Sequence, residues 1–266
     1  MSIIQTTRPP EQPSSKVASF KPALLQTEEH HLCPGCGEPV AIRLVLEVIQ
    51  ELGLAQKNVS VIGHGCYGSF IMTMDVDSTL CLHGRAPAVA TGMKRMRPDV
   101  AIWTLQGDGD MTSEGLAEIL HATARGENIT CILLNNGVFG DTGGQMTASS
   151  VLGQRTKNTL DGRDAAYHGY PIVIGDMVAA MPGSAYVARG SVHNAASIAS
   201  TRRLIRKGFQ RQMEKKGLSL VEILTMCPTG WFVPASGGAD YMMESLGKTY
   251  PLGEIKDVAA TSTAQP

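Results

Sequence analysis

Short runs of consecutive apolar, β-prone residues alternate along this chain with longer segments whose apolar positions recur every three or four residues. Val59-Ser-Val-Ile62, Val100-Ala-Ile-Trp-Thr-Leu105, Ile129-Thr-Cys-Ile-Leu-Leu134 and Leu218 to Leu224 read as buried strands, with Pro171 to Ile174 and Ser184 to Arg189 as two more. The helical period appears at Val40, Leu44, Val45, Val48, Ile49 and Leu52, with Pro39 near the first turn, and again after Asp110. A short helix is expected near Asp176 to Met181, and a long one from Asn194 to Lys215 with Ile198, Ile205 and Phe209 on its apolar side. Strands with little polar alternation are covered on both faces. The pattern therefore predicts an α/β fold: a mostly parallel sheet with helices on both faces.

The polar chemistry falls where the strands end. Val100 to Leu105 runs into Gln106-Gly-Asp-Gly-Asp110, and Ile129 to Leu134 runs into Asn135-Asn136 and then Gly140-Asp-Thr-Gly-Gly-Gln145. Ligands gather at the carboxyl ends of strands in such sheets. Gly107 and Gly109 permit a sharp turn and close backbone approach, while Asp108 is a hard oxygen ligand of the kind Mg²⁺ prefers. Thr112 or Ser113 is expected to cap the next helix and aim its amino end at a diphosphate. Asn136, one strand later, brings an amide oxygen to the same metal. Each motif alone is an ordinary turn. Together, in this order, they resemble the pyrophosphate half of thiamine diphosphate enzymes.

Composition changes little in that picture. The 266 residues are 43% hydrophobic, enough for a substantial core, and the net charge of −1 offers no field for nucleic acid or an anionic membrane. No apolar run approaches the ~20 residues of a membrane span and no leader-like segment is evident, so a cytoplasmic protein is expected. Residues 1–30, rich in Pro and without apolar period, read as an N-terminal arm; 31–234 carry the domain; 235–266 read as a Gly- and Ser-rich extension ending in a loose tail.

Six cysteines matter more. Cys81 and Cys131 sit in apolar segments and read as small core residues, whereas Cys33, Cys36, Cys66 and Cys227 each neighbour Gly or Pro in a turn. Structural disulfides are not expected of a cytosolic chain, which leaves metal, redox or inert thiols, and spacing alone divides evenly between zinc and iron-sulfur.

The motifs taken together resemble the β subunit of the 2-oxoacid:ferredoxin oxidoreductase family, of the short-subunit type acting on branched-chain 2-oxo acids or 2-oxoglutarate. The resemblance rests on Cys33-Pro-Gly-Cys36-Gly, Gly65-Cys66, His83-Gly-Arg85, Gln106-Gly-Asp-Gly-Asp110, Asn135-Asn136, Thr142-Gly-Gly-Gln145, Gly162-Arg-Asp164, His168-Gly-Tyr-Pro171 and Cys227-Pro-Thr229. It implies thiamine diphosphate, with Mg²⁺ held by Asp108, Asn136 and the carbonyl of Val138, and with Gly107, Gly109, Asp110, Asn135, Gly140 and Thr142 lining the diphosphate. It implies one [4Fe-4S] cluster on Cys33, Cys36, Cys66 and Cys227, next to Gly65. His83, followed by Gly84, would touch cofactor or substrate. The implied activity is oxidative decarboxylation of a 2-oxo acid to acyl-CoA and CO₂, with electrons leaving to ferredoxin or a similar acceptor. The glutamate that activates the cofactor belongs to another half of the family's site, so the chain should be inactive without an α subunit, in a hetero-oligomer with γ- or δ-type subunits.

Two rival functions stand beside this: a non-redox thiamine decarboxylase or carboligase whose cysteines bind zinc or nothing, and a non-catalytic subunit. Asp108, Asn135 and Asn136 argue against the second. Tyr67 and Phe70, with no nearby Lys or Arg besides Arg85, point to an apolar or aromatic 2-oxo acid over 2-oxoglutarate. Glu114 and Glu118 read as a solvated helix face, His64 as a space-filler beside Gly65, and the methionines as packing groups. Residues 153–168 read as a long functional loop.

Overall fold

The computed structural model describes residues 21–27 and 29–261; most of the expected N-terminal arm and the last residues of the tail lie outside this range. Seven strands form one sheet in the order β2-β1-β3-β4-β8-β7-β9. They are β1 (Asn58–Ile62), β2 (Asp77–Leu80), β3 (Ala101–Gly107), β4 (Thr130–Asn135), β7 (Ser184–Ser191), β8 (Leu218–Leu224) and β9 (Gly253–Asp257), the last antiparallel and the others parallel. A hairpin of β5 (Val138–Phe139) and β6 (Gln145–Met146) stands apart from it.

Period-two alternation sorts each central strand between two cores. Ile62, Leu105, Ile132 and Ile223 face α1 (Glu38–Glu51) and α6 (Ala195–Met213), whereas Val61, Ile102, Leu133 and Leu220 face α2 (Ala86–Met96), α3 (Leu116–Ala124) and α5 (Ile174–Ala180). The expectation of helices on both faces is met. So are the limits of β8, and Asn194 begins α6 by accepting a hydrogen bond from Ser197 N.

Three local expectations give way to tertiary structure. Pro171 to Val173 form no strand, and Ile174 already opens α5. Neither Thr112 nor Ser113 caps a helix: Gly109–Glu114 is a π-helical turn, and α3 starts later, from Gly115. The Thr112 hydroxyl donates to Asp108 O at 2.6 Å, and Ser113 Oγ accepts from Ala148 N. The segment after Pro234 is no loose extension. Helix α8 (Gly238–Thr249) buries Met242 and Leu246, Tyr250 follows them into a third core with Trp231 and Val138, and β9 completes the sheet. Leu24 and Leu25, from the end of the presumed arm, are also buried.

Candidate functional site

A cavity of about 710 Å³ opens beyond the carboxyl ends of β1, β3, β4 and β8. The turns after those strands carry Gly65-Cys66, Gly107 to Asp110, Asn136, Val138 to Thr142, and Cys227, and all of these line it together with Cys33, Cys36 and His83. Two predicted site residues do not. Gly84 lies behind Asp110, to which its N–H donates at 2.8 Å, and Asn135 is fully buried beneath the cavity floor.

Asp108 is the centre of the floor. It is 1% exposed, and its carboxylate accepts from Thr147 Oγ1 at 2.5 Å and Asn136 N at 3.2 Å. Burial pushes its pKa up to about 7, against the pull of those hydrogen bonds. The Asn136 side-chain oxygen accepts from Val138 N at 3.1 Å, and Trp231 Nε1 donates to Asn136 O at 2.8 Å. The turn between the strands is thus clamped from both sides. At its apex Gly137 has φ +68°, and a Cβ there would meet Gln154 Oε1 at 2.7 Å. Gly109 is required for a different reason: a Cβ would strike the Phe139 ring at 2.3 Å or so of separation, too close for any side chain.

The loop after β6 supports this floor from outside. Arg163, 6% exposed, donates to six backbone carbonyls, those of Thr147, Ala148, Ser150, His168, Gly169 and Tyr170. It gathers the loop that delivers Thr147 to Asp108 and Ser150 to Gly137 O. Gly162-Arg-Asp164 drew notice in the sequence, but nothing local announces that a guanidinium would hold carbonyls in place of an anion.

A Cβ on Gly140 would lie 3.5 Å from Cys227 Sγ and 3.6 Å from Cys66 Sγ, so both sulfurs face one point. Cys33, in the knuckle before α1, also lines the cavity and is exposed. Burial, then the charge of Glu38, raises the thiols of Cys36 and Cys66, the latter to about 12; burial first, opposed by a backbone N–H, takes Cys227 to about 12 as well. Thiols in such a place ionise only with a cation among them. Among the described residues, no three His, Cys, Asp or Glu side chains form a group that could hold a metal ion.

Sequence reasoning missed Glu38. It is the first residue of α1, 4% exposed, lines the cavity, and its Oε2 has no hydrogen-bond partner. Burial, then the charges of Asp108 and Asp141, push it up to about 8. The signal was its place directly after a Cys-Pro-Gly-Cys-Gly turn. His83 Nδ1 lies 3.1 Å from Asp110 Oδ1 and its ring 5.2 Å from that of His64, which also lines the cavity. Glu114 also lines the cavity, 3.8 Å from His83 Nδ1, while Glu118 pairs with Arg85. Phe70 packs in the core, and Tyr67 lies edge-on under Gly107 with its hydroxyl donating to His64 O. Phe70 therefore contributes nothing to the cavity wall.

Residues 63–223 match the family described as "Thiamine pyrophosphate enzyme, C-terminal TPP binding domain". The chain is 34% identical over 230 residues to the ketoisovalerate oxidoreductase subunit VorA of Methanothermobacter thermautotrophicus, covering 86% of this chain and 48% of that one. It is 30% identical over 241 residues to the 2-oxoglutarate synthase subunit KorB of Methanocaldococcus jannaschii, covering 86% and 82%. Among solved structures, 2-oxoglutarate:ferredoxin oxidoreductase from Magnetococcus marinus, with 2-oxoglutarate, coenzyme A and succinyl-CoA bound, superposes with a TM-score of 0.71 at 26% identity, over 91% and 87% of the two chains. The chain spans about half the length of the ketoisovalerate relatives. No helix among the described residues is long and apolar enough to cross a membrane.

Proposed function

The chain belongs to the thiamine pyrophosphate enzymes, within the 2-oxoacid:ferredoxin oxidoreductase family, and we propose that it is the diphosphate-binding β subunit of a coenzyme A-dependent 2-oxoacid:acceptor oxidoreductase. The observation that carries this reading is the convergence of Asp108, Asn136 and four cysteines on one cavity at the carboxyl edge of the sheet. Bound thiamine diphosphate supplies the electron sink that cleavage of a 2-oxo acid needs, and a [4Fe-4S] cluster supplies a one-electron acceptor beside it.

The residues fit both groups. Asp108, the Asn136 amide and the Val138 carbonyl would hold Mg²⁺, whose charge is what a carboxylate buried without Lys or Arg lacks. Gly107, Gly109, Asp110, Gly140 and Thr142 would line the diphosphate, with Asn135 and Gly84 acting from behind. Cys33, Cys36, Cys66 and Cys227, with Gly65 between strand and thiol, would carry the cluster. His83 is steered by Asp110 to present its other ring nitrogen to whatever occupies the cavity. The activating glutamate is expected from a partner α subunit, with γ- or δ-type subunits completing a complex that passes electrons to ferredoxin or a similar acceptor.

Among the described lining residues none is Lys or Arg, and Arg85, the nearby cation in the sequence, is engaged by Glu118. Five carboxylates, those of Glu38, Asp108, Asp110, Glu114 and Asp141, share the wall. A second carboxylate on the substrate is disfavoured there unless a partner supplies a cation or Lys157, whose Nζ would lie 3.0 Å from a Cβ on the lining Gly143, turns inward, so we take the substrate to be a 2-oxo acid with an apolar side chain. In the assembled complex, kcat/KM should be higher for 3-methyl-2-oxobutanoate than for 2-oxoglutarate, and the reverse order defeats the substrate assignment.

The main reading is tested on anaerobically purified chain by iron, sulfide and zinc analysis, with electron paramagnetic resonance. About four irons and four sulfides per chain, lost in Cys66→Ala and Cys227→Ala, are expected. Stoichiometric zinc without sulfide would instead establish a non-redox thiamine enzyme.

A further inference from the structure

Of the two adjacent asparagines, the one that does not face the cavity is held by the more elaborate apparatus. Asn135 Nδ2 donates to Glu222 Oε1 at 2.6 Å, and Asn135 Oδ1 accepts from Gly137 N at 3.1 Å. Glu222 comes from β8 and lies in register with Leu133 on one side and Arg189 of β7 on the other. Arg189 Nε donates to Glu222 Oε2 at 2.7 Å, and its Nη1 donates to Pro251 O at 3.0 Å. The Tyr250 ring lies 5.3 Å from the guanidinium carbon, and a Cβ on Gly175 of α5 would come within 2.8 Å of Arg189 Nη2. The two charged side chains are 0% and 1% exposed.

A buried ion pair contributes little beyond what well-packed apolar side chains would in its place, so stability does not explain why this one stands under the cavity floor. Its hydrogen-bond chemistry does. An ionised carboxylate only accepts, on both oxygens, whereas an amide has one accepting and one donating end. With Arg189 committed to Oε2, Glu222 leaves Oε1 for a donor, and only the NH₂ end of Asn135 satisfies it. The Asn135 amide is thereby barred from flipping, and its oxygen must turn to the N–H of Gly137. Gly137 sits between Asn136 and Val138, whose own side-chain-to-backbone bond completes the turn.

We propose that Glu222, oriented by Arg189, is a positioning residue: it fixes the Asn135 amide and through it the Asn136–Val138 turn that holds the metal and diphosphate. The proposal rests on the assignment of that turn to a thiamine diphosphate–Mg²⁺ site. It gives Asn135 a role distinct from that of Asn136.

Glu222→Gln keeps the volume but must turn an NH₂ group toward either Arg189 or Asn135. Thiamine diphosphate with Mg²⁺ is titrated onto the full chain by calorimetry, and amide hydrogen exchange is followed without ligand. Relative to wild type, Glu222→Gln should bind about tenfold more weakly, the cost of one buried bond turned into a donor–donor contact, and exchange faster at Gly137. Thr201→Val, which removes a buried hydroxyl bonded to the Ser191 backbone and outside the Arg189–Glu222–Asn135 hydrogen bonds, should lower the melting temperature yet leave that affinity unchanged. Unchanged affinity and exchange in folded Glu222→Gln overturn the proposal. If that variant does not fold, Arg189→Lys decides: about threefold weaker binding supports the relay, and wild-type binding overturns it. Wild-type chain that takes up no ligand would sink the site assignment itself, while Gly137 exchange would still judge the Glu222–Asn135 relay separately.

Discussion

Carboxylates in this protein fall into two groups with opposite surroundings. Away from the cavity they are matched to arginines: Glu222 to Arg189, Asp257 to Arg211, Glu127 to Arg95 and Arg125, Glu51 to Arg202 and Arg206. In the cavity, Asp108 is met only by neutral donors and one oxygen of Glu38 by nothing. Cations are therefore not scarce, yet among the described residues none that lines the cavity is Lys or Arg. The difference separates groups that hold the fold from groups whose partner must arrive with a ligand.

Removing one member from each group should have effects of opposite sign. Glu222→Ala leaves the buried Arg189 with only the exposed Asp176, 3.5 Å away, and should reduce the unfolding free energy by about 3–5 kcal/mol, measured by urea denaturation. Asp108→Asn, whose one oxygen can still accept from Asn136 N while its NH₂ group donates to the Thr147 hydroxyl, should leave the ligand-free chain as stable or more so above pH 7, because a desolvated charge is gone. The same variant should lose at least about a hundredfold in affinity for thiamine diphosphate with Mg²⁺, since a hard cation loses its only anionic protein ligand. Equal destabilisation by both substitutions would erase the distinction between the groups.

How much of this the sequence discloses follows the same division. The runs that become β3, β4 and β8 are legible because a central parallel strand is apolar on both faces, and the Gly-Asp-Gly and Asn-Asn turns are legible because chemistry follows strand ends directly. Strand β9, Gly-Glu-Ile-Lys-Asp, is polar because it lies at an edge, and its pairing with β7 depends on residues more than sixty positions away. Thr112 looks like a cap and is drawn instead to Asp108 O and Ser149. Asn135 reads as a ligand beside Asn136, yet adjacent residues at a strand end point to opposite sides, and only the neighbouring Glu222 reveals which side is which. Local patterns disclose the turns but not the direction each side chain takes.

A pH series sharpens the comparison. For Asp108 and Glu38 the folded-state pKa values, pushed up to about 7 and about 8, lie above those of the unfolded chain. Such groups favour folding while both are protonated, below about pH 4, and that contribution is lost as pH rises through about 7 and 8. Ligand-free chain should thus lose a few kcal/mol of unfolding free energy between pH 5 and 8 from these two groups. Saturating Mg²⁺ and thiamine diphosphate should flatten that slope, because the metal holds Asp108 ionised. A slope unaffected by ligand would show that the buried carboxylates do not meet it.

Asp257 supplies the smallest effect and the opposite sign. Its hydrogen bonds with Arg211, at 2.8 and 2.9 Å, hold the carboxyl below the usual range, with burial opposing, so the folded pKa lies under the unfolded one. Its contribution is present at neutral pH, above the unfolded pKa, and disappears as pH falls through the folded value. Asp257→Asn should cost no more than about 1 kcal/mol at pH 7, the scale of a partly solvent-exposed pair, and should remove only the acid end of the stability profile. Because Asp257 ends β9 while Arg211 lies on α6, amide exchange should rise along Gly253–Asp257 and not at Asn136 or Gly137. Ligand affinity should stay at the wild-type value. A fall in affinity with this substitution would mean that the edge strand and the cavity share one cooperative unit, and the two groups of carboxylates could no longer be treated as separable.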